Sequence, residues 1–135
     1  MLADAATADS KIYFYWGNNA AKASTENLTV GKIYEATIEN GTAKISDMSN
    51  SAVASNNSFT SQYTLTLFGT NQGTIDSGNT YVRIYYFKVY EDGALVRDFI
   101  PCYRKSDGEI GLYDKVEKKF YANSGTGVFL KGNDL

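Results

Sequence analysis

Between Tyr81 and Phe129, short runs of β-branched and aromatic residues alternate with tight-turn signals. YVRIYYFKVY leads to Asp92-Gly93, ALVRDFIPCYR leads to Asp107-Gly108, and EIGLYDKVEKKFYANSGTGVF follows. An Asp-Gly pair between such runs is the strongest short-range hairpin signal, because both central residues of the tight turn need φ > 0. The pattern predicts a meander of four or five antiparallel strands, the last of them VFLKG after a glycine turn at NSGTG.

Upstream, the same period of two recurs with interruptions. In KIYFYWGNN, Ile12, Phe14 and Trp16 share one face and Tyr13 and Tyr15 the other, and Gly17-Asn18-Asn19 ends the run. AAKASTEN has no period and reads as a loop. VGKIYEATIENGTAKISD reads as a hairpin about Asn40-Gly41, with Ala36 and Ile38 in one arm and Ala43 and Ile45 in the other. Residues 46–62 read as a long Ser/Asn loop. SQYTLTLFGTN reads as a strand with Tyr63, Leu65 and Leu67 on one face, and NQGTIDSGNT as a polar loop. KVEKKF alone has helical propensity, and it is too short to use it. Turn signals at roughly ten- to fifteen-residue spacing are those of an all-β, two-sheet antiparallel sandwich or jelly roll. We therefore expect a poorly ordered arm over residues 1–10 and a single domain over residues 11–135.

Composition narrows the chemistry. The chain of 135 residues holds 11 Tyr, 7 Phe and one Pro, which favours strands over helices. The net charge is −2 with no concentrated Lys/Arg run, so nucleic acid is not an expected partner. No apolar run reaches the length of a membrane span, so membrane insertion is not expected. Histidine is absent, which removes Ser-His, Cys-His and His-ligated zinc chemistry. The lone Cys102, in FIPCY, reads as a buried inert thiol.

The charged residues of the meander read as structural. Arg97 and Asp98 are neighbours on a strand and point to opposite faces, so each should pair with another strand rather than with the other. Asp114 reads as an Asx residue opening a turn. NSGTG lacks the helix and lysine of a phosphate loop. Asn71, Asp76 and Asn79 could offer oxygens to calcium, but one carboxylate is thin for a tight site, and an ordinary polar loop is the favoured reading. No metal or other cofactor is expected. The amphipathic rings remain, suited to stacking on sugars or to protein interfaces. Tyr13, Tyr15, Trp16 and the Asn18-Asn19 turn form the best cluster, with Tyr85, Tyr86 and Tyr90 next and Asn71 a further polar contributor.

FKVYEDGALVRDFIPCYR, GLYD, KFY and NSGTG, with YTLTLFGTNQGT upstream, strongly resemble the C-terminal part of a LamG-like, concanavalin A-like jelly-roll domain. The variant resembled is the one in phage tail or fibre proteins and in surface proteins of Gram-positive bacteria. The likeness covers about three quarters of the chain. It implies a non-catalytic binding or adhesion module, with glycan recognition on a virion or extracellular surface. The alternative it leaves is a structural subunit-contact domain without a sugar ligand. Domains of this family are longer and open with strands beside the C-terminal ones. The resemblance thus implies that those strands are absent here or are supplied by a neighbouring chain or a homo-oligomer. Glucanases of this fold carry paired acids at alternating positions of one strand. No such pair is present here, and Glu35 and Glu39 border an exposed hairpin, so no catalytic residue is assigned.

Overall fold

The computed structural model describes residues 2–5, 13–14, 22–23, 26–39, 42–48, 51–53, 60, 62–67, 69–71, 75–77, 82–124 and 128–132. Among them there is no helix, and the chain is all-β with antiparallel pairing. The strands are β1 (Leu2–Ala5), β2 (Tyr13–Phe14), β3 (Lys22–Ala23), β4 (Ile33–Glu39), β5 (Thr42–Ile45), β6 (Ser51–Val53), β7 (Gly69–Asn71), β8 (Ile75–Ser77), β9 (Val82–Glu91), β10 (Ala94–Tyr103), β11 (Ile110–Asp114) and β12 (Lys119–Ala122). The chain divides into two compact units, residues 3–82 and residues 1–2 with 83–135.

In the first unit, β4, β5 and β6 pair in sequence order, and β2–β3 and β7–β8 are separate two-stranded ribbons. The β4–β5 register sets Ala36 opposite Ile45 and Ile38 opposite Ala43. The predicted alternation is therefore realised. Tyr34, Ala36, Ala43 and Ile45 are buried, as is Leu28, while Ile38, next to the turn, is half exposed. The Glu39–Thr42 pair leaves two residues for the turn, Asn40-Gly41, which lie outside the described residues. Before β4 the chain reverses at Val30-Gly31. Lys32 N–H donates to the Thr29 carbonyl, and Gly31 takes φ +76°, the value a type II turn asks of its third residue. Thr29 N–H donates to the Tyr34 hydroxyl at 2.9 Å, so the buried ring keeps a partner for its polar end.

The second unit holds the meander, with sheet order β12-β11-β10-β9. The β9–β10 turn is the expected one. Glu91 pairs with Ala94, and Asp92 and Gly93 both have positive φ, +49° and +79°. A bulge at Val96 then shifts the register between Leu95 and Arg97. Pro101 is the chain's sole proline and sits inside β10, beyond the described β9–β10 rungs, which end at Phe99–Phe87. There its missing N–H removes no rung of that ladder. Between β10 and β11 the expected two-residue turn is replaced by a longer one. Tyr103 pairs with Ile110, Arg104 N–H donates to Glu109 O, and Gly108 N–H donates to Arg104 O. Only Gly108 has positive φ there. The Arg104 guanidinium grips Asp107 and Glu109 and stabilises the wider loop.

Several expectations are corrected. Leu2–Ala5, within the expected arm, form β1. Lys22–Ala23, read as loop, form β3 opposite Tyr13–Phe14. Ser51–Val53, inside the expected long loop, extend the hairpin as β6. Residues 63–66 are not a strand, and Tyr63 and Leu65 are exposed. The strand there is Gly69–Asn71, paired with Ile75–Ser77 from the segment read as loop. VFLKG is not a strand either, and Val128 and Leu130 stand in solvent. YTLTL and VFLKG read as strands from their alternation, and the segments of β1, β3, β6 and β8 as arm or loop for want of it. In both directions a ladder depends on a partner edge, which local pattern does not supply.

Candidate functional site

Register divides the meander into two faces. Arg97 and Phe99 share a face with their cross-strand neighbours Val89 and Phe87, and with Asp114, Leu112 and Tyr121. Phe99 stacks on Phe87 at 6.0 Å and meets Tyr121 edge-on at 5.6 Å. Asp98, Ile100, Tyr113 and Phe120 lie on the other face. There Gly111 is buried under the Phe120 ring. A Cβ at Gly111 would come closer than 3.0 Å to both that ring and the Tyr121 carbonyl oxygen.

At the end of β11 the charged residues form one network across three chain segments. The Asp114 side chain is wholly buried. Its Oδ1 accepts Asp98 N–H at 3.0 Å and Val116 N–H at 2.9 Å, the second closing the predicted Asx turn. Its Oδ2 faces Arg97 Nε at 3.6 Å. Arg97 Nη2 continues to Glu117 at 2.7 Å, and Glu117 accepts the Tyr121 hydroxyl. Arg97 Nη1 also donates to the Val96 carbonyl at 2.9 Å, within the bulge. On the opposite face Asp98 pairs with Lys115 Nζ at 2.7 Å. The expected division of Arg97 and Asp98 between two partners is therefore present.

Burial raises the Asp114 carboxyl pKa, but the N–H groups of Asp98, Val116 and Glu117 and the Arg97 charge outweigh it, so the net shift is downward. Asp114 is held ionised as a structural acceptor. The hydrogen bond to Glu117 pushes the Tyr121 phenol up. Burial likewise pushes the Cys102 thiol up, against a Tyr113 backbone hydrogen bond, in keeping with an inert cysteine.

Most of the predicted ligand cluster lies outside the described residues. Tyr13 lies on β2, while Tyr15, Trp16 and Asn18 lie outside the described residues. Asn71 and Asp76, the calcium candidates, lie on β7 and β8, where Asn71 pairs with Ile75 and Asp76 with Thr70; Asn79 is outside the described residues. They belong to a hairpin rather than to the expected loop. Among the described residues no group of acids or Cys gathers as metal ligands do, and no helix is long and apolar enough to cross a membrane. Of the second cluster, Tyr85 and Tyr86 are half-buried and Tyr90 is exposed.

The structure adds a residue that the sequence pattern did not single out. Tyr103, at the end of β10, is exposed, with Lys131 Nζ 5.1 Å from its ring centroid. The two are 28 positions apart in sequence, so only folding joins them. No family model, no curated protein and no solved structure matches this chain.

Proposed function

We propose that the chain is a non-catalytic binding or adhesion module, a LamG-like sandwich of jelly-roll type, with glycans as its ligand class and a phage particle or bacterial surface as its setting. The observation that carries the non-catalytic part is the use made of the acids. Asp114 is sealed from solvent, kept ionised and bonded to two backbone N–H groups, and Asp98 and Glu117 are paired with cations. A general acid or base must exchange its proton with a substrate, and these carboxylates brace turns instead. The glycan part is supported by exposed amphipathic rings, Tyr90 and Tyr103, on a scaffold rich in Tyr and Asn. Its fold-level support is the resemblance of the meander motifs. Glycan-array binding by the intact chain that disappears in Trp16→Ala is the expected result. Hydrolysis of a polysaccharide by the purified chain would overturn it.

A second reading, a structural contact domain of a virion or surface assembly, has one observation in its favour. Val128 and Leu130 are 81% and 85% exposed, and apolar side chains of this kind are what subunit interfaces cover. Light scattering that gives a concentration-independent oligomer, with no glycan signal, decides for it.

A further inference from the structure

The second unit contains two Asp-Gly pairs, and the fold treats them oppositely. Asp107-Gly108 is held at both residues. The Arg104 guanidinium bonds both oxygens of the Asp107 carboxylate, and Glu109 N–H donates to Oδ1 at 3.2 Å. Gly108 N–H is itself engaged, donating to the Arg104 carbonyl at 2.8 Å. At Asp92-Gly93, the tip of the β9–β10 hairpin, both residues are exposed. The last rung joins Glu91 to Ala94, which leaves Gly93 N–H outside the ladder. Among the described residues nothing bonds the Asp92 carboxyl or the Gly93 N–H. Glycine also carries no side chain to shield its nitrogen.

We propose that Asp92 is a site of spontaneous backbone isomerisation to isoaspartate, and that the Arg104 clamp spares Asp107 the same reaction. The Gly93 nitrogen attacks Cγ of the protonated Asp92 carboxyl. An N–Cγ bond forms, the nitrogen gives up its proton, the Cγ–OH bond breaks, and the two leave as water. The product is a five-membered succinimide. Water then adds at the Asp92 main-chain carbonyl carbon and breaks that carbon's bond to nitrogen. The chain now runs through Cγ, the old main-chain carbonyl is a free carboxyl, and the mass is unchanged. No co-reactant other than water is needed. At Asp107 the same attack requires Arg104 to release the carboxylate and Gly108 N–H to leave its carbonyl partner. The Arg104 hydrogen bond also leads in lowering the Asp107 pKa, so the protonated form that reacts is scarcer there. Isomerisation at Asp92 adds one main-chain carbon to the hairpin tip, beside the exposed Tyr90–Leu95 rung.

The test is prolonged incubation of the full chain near neutral pH, below its unfolding temperature, with isoaspartate located by peptide mapping and electron-transfer fragmentation. Isoaspartate is expected at Asp92 at a rate at least about tenfold above that at Asp107. In Arg104→Ala the rate at Asp107 should rise towards that at Asp92, with Asp92 unchanged. In denaturant, where no clamp exists, the two positions of the unaltered chain should react at similar rates. Equal rates in the folded chain overturn the inference. So does an unreacted Asp92 in the folded chain when the denatured chain isomerises there. A preference for Asp92 that persists in denaturant overturns it as well, because local sequence rather than the fold then sets the difference.

Discussion

The two units bury different things. Residues 3–82 bury an apolar cluster, with Leu28, Tyr34, Ala36, Ala43 and Ile45 all at or below 5% exposure. In the meander, the described side chains that are buried are Asp98 and Asp114, the second of them completely, while its aromatic residues stay half exposed or exposed. One unit is held by the hydrophobic effect, which is non-directional and forgiving of shape. The other is pinned at its most buried point by hydrogen bonds and ion pairs, which are directional and fail when one partner is lost. The charged network sits where β11 ends and the chain turns, and turns are where backbone N–H groups lack strand partners. Asp114 serves one such group, Val116 N–H, together with the N–H of Asp98 within β10.

The largest effect expected from breaking this difference is that of Asp114→Ala. It removes the acceptor of two backbone N–H groups and leaves Arg97 only the Glu117 carboxylate and the Val96 carbonyl. Amide exchange protection should be lost across β10 and β11, while β4 and β5 stay protected. Equal loss in both units would contradict the contrast. Ile45→Ala is the mirror experiment. It should cost about 2–5 kcal/mol, read as faster exchange in β4 and β5. Gly111→Ala should cost about 1–3 kcal/mol in the meander, because its Cβ meets backbone and ring together and the strand must shift.

Acid sharpens the same comparison. The folded-state pKa of Asp114 lies below its unfolded value. Its contribution is therefore complete above the unfolded carboxyl pKa, about 3.9, and fades as pH falls through the folded one. Denaturant unfolding below about pH 4 should show the meander weakening while the apolar unit holds. The smallest effect belongs to Lys32→Ala. The Lys32–Asp47 pair, 3.3 Å apart, is open to solvent, and its loss should change stability by less than about 1 kcal/mol.

Much of the meander was legible because its signals are local. The Asp92-Gly93 turn, the separation of Arg97 and Asp98, and the Asx turn at Asp114 each follow from adjacent residues. The hairpin that carries Ala36, Ala43 and Ile45 followed from alternation about Asn40-Gly41, but that these residues form the buried cluster while Ile38 does not was decided by the fold. Asp107-Gly108 misled because a residue outside the pair, Arg104, ties down Asp107 and Glu109 and makes a wider loop stable. The strand expected at YTLTL misled because β-branched alternation describes a side-chain pattern and says nothing about an available edge. The Val96 bulge and the meeting of Tyr103 with Lys131 left no trace in the local pattern at all.

By itself the sequence determined that this chain is all-β, where its tightest hairpin turns, and which residues of the β4–β5 hairpin share a face. Those features depend on φ preferences and on a period of two, both carried by neighbouring residues. The tertiary structure alone decided that the most deeply buried side chain among the described residues is a carboxylate, and which cations and N–H groups surround it. Burying a charge is tolerated only when partners from separate segments converge on it, and that convergence exists only in the folded chain.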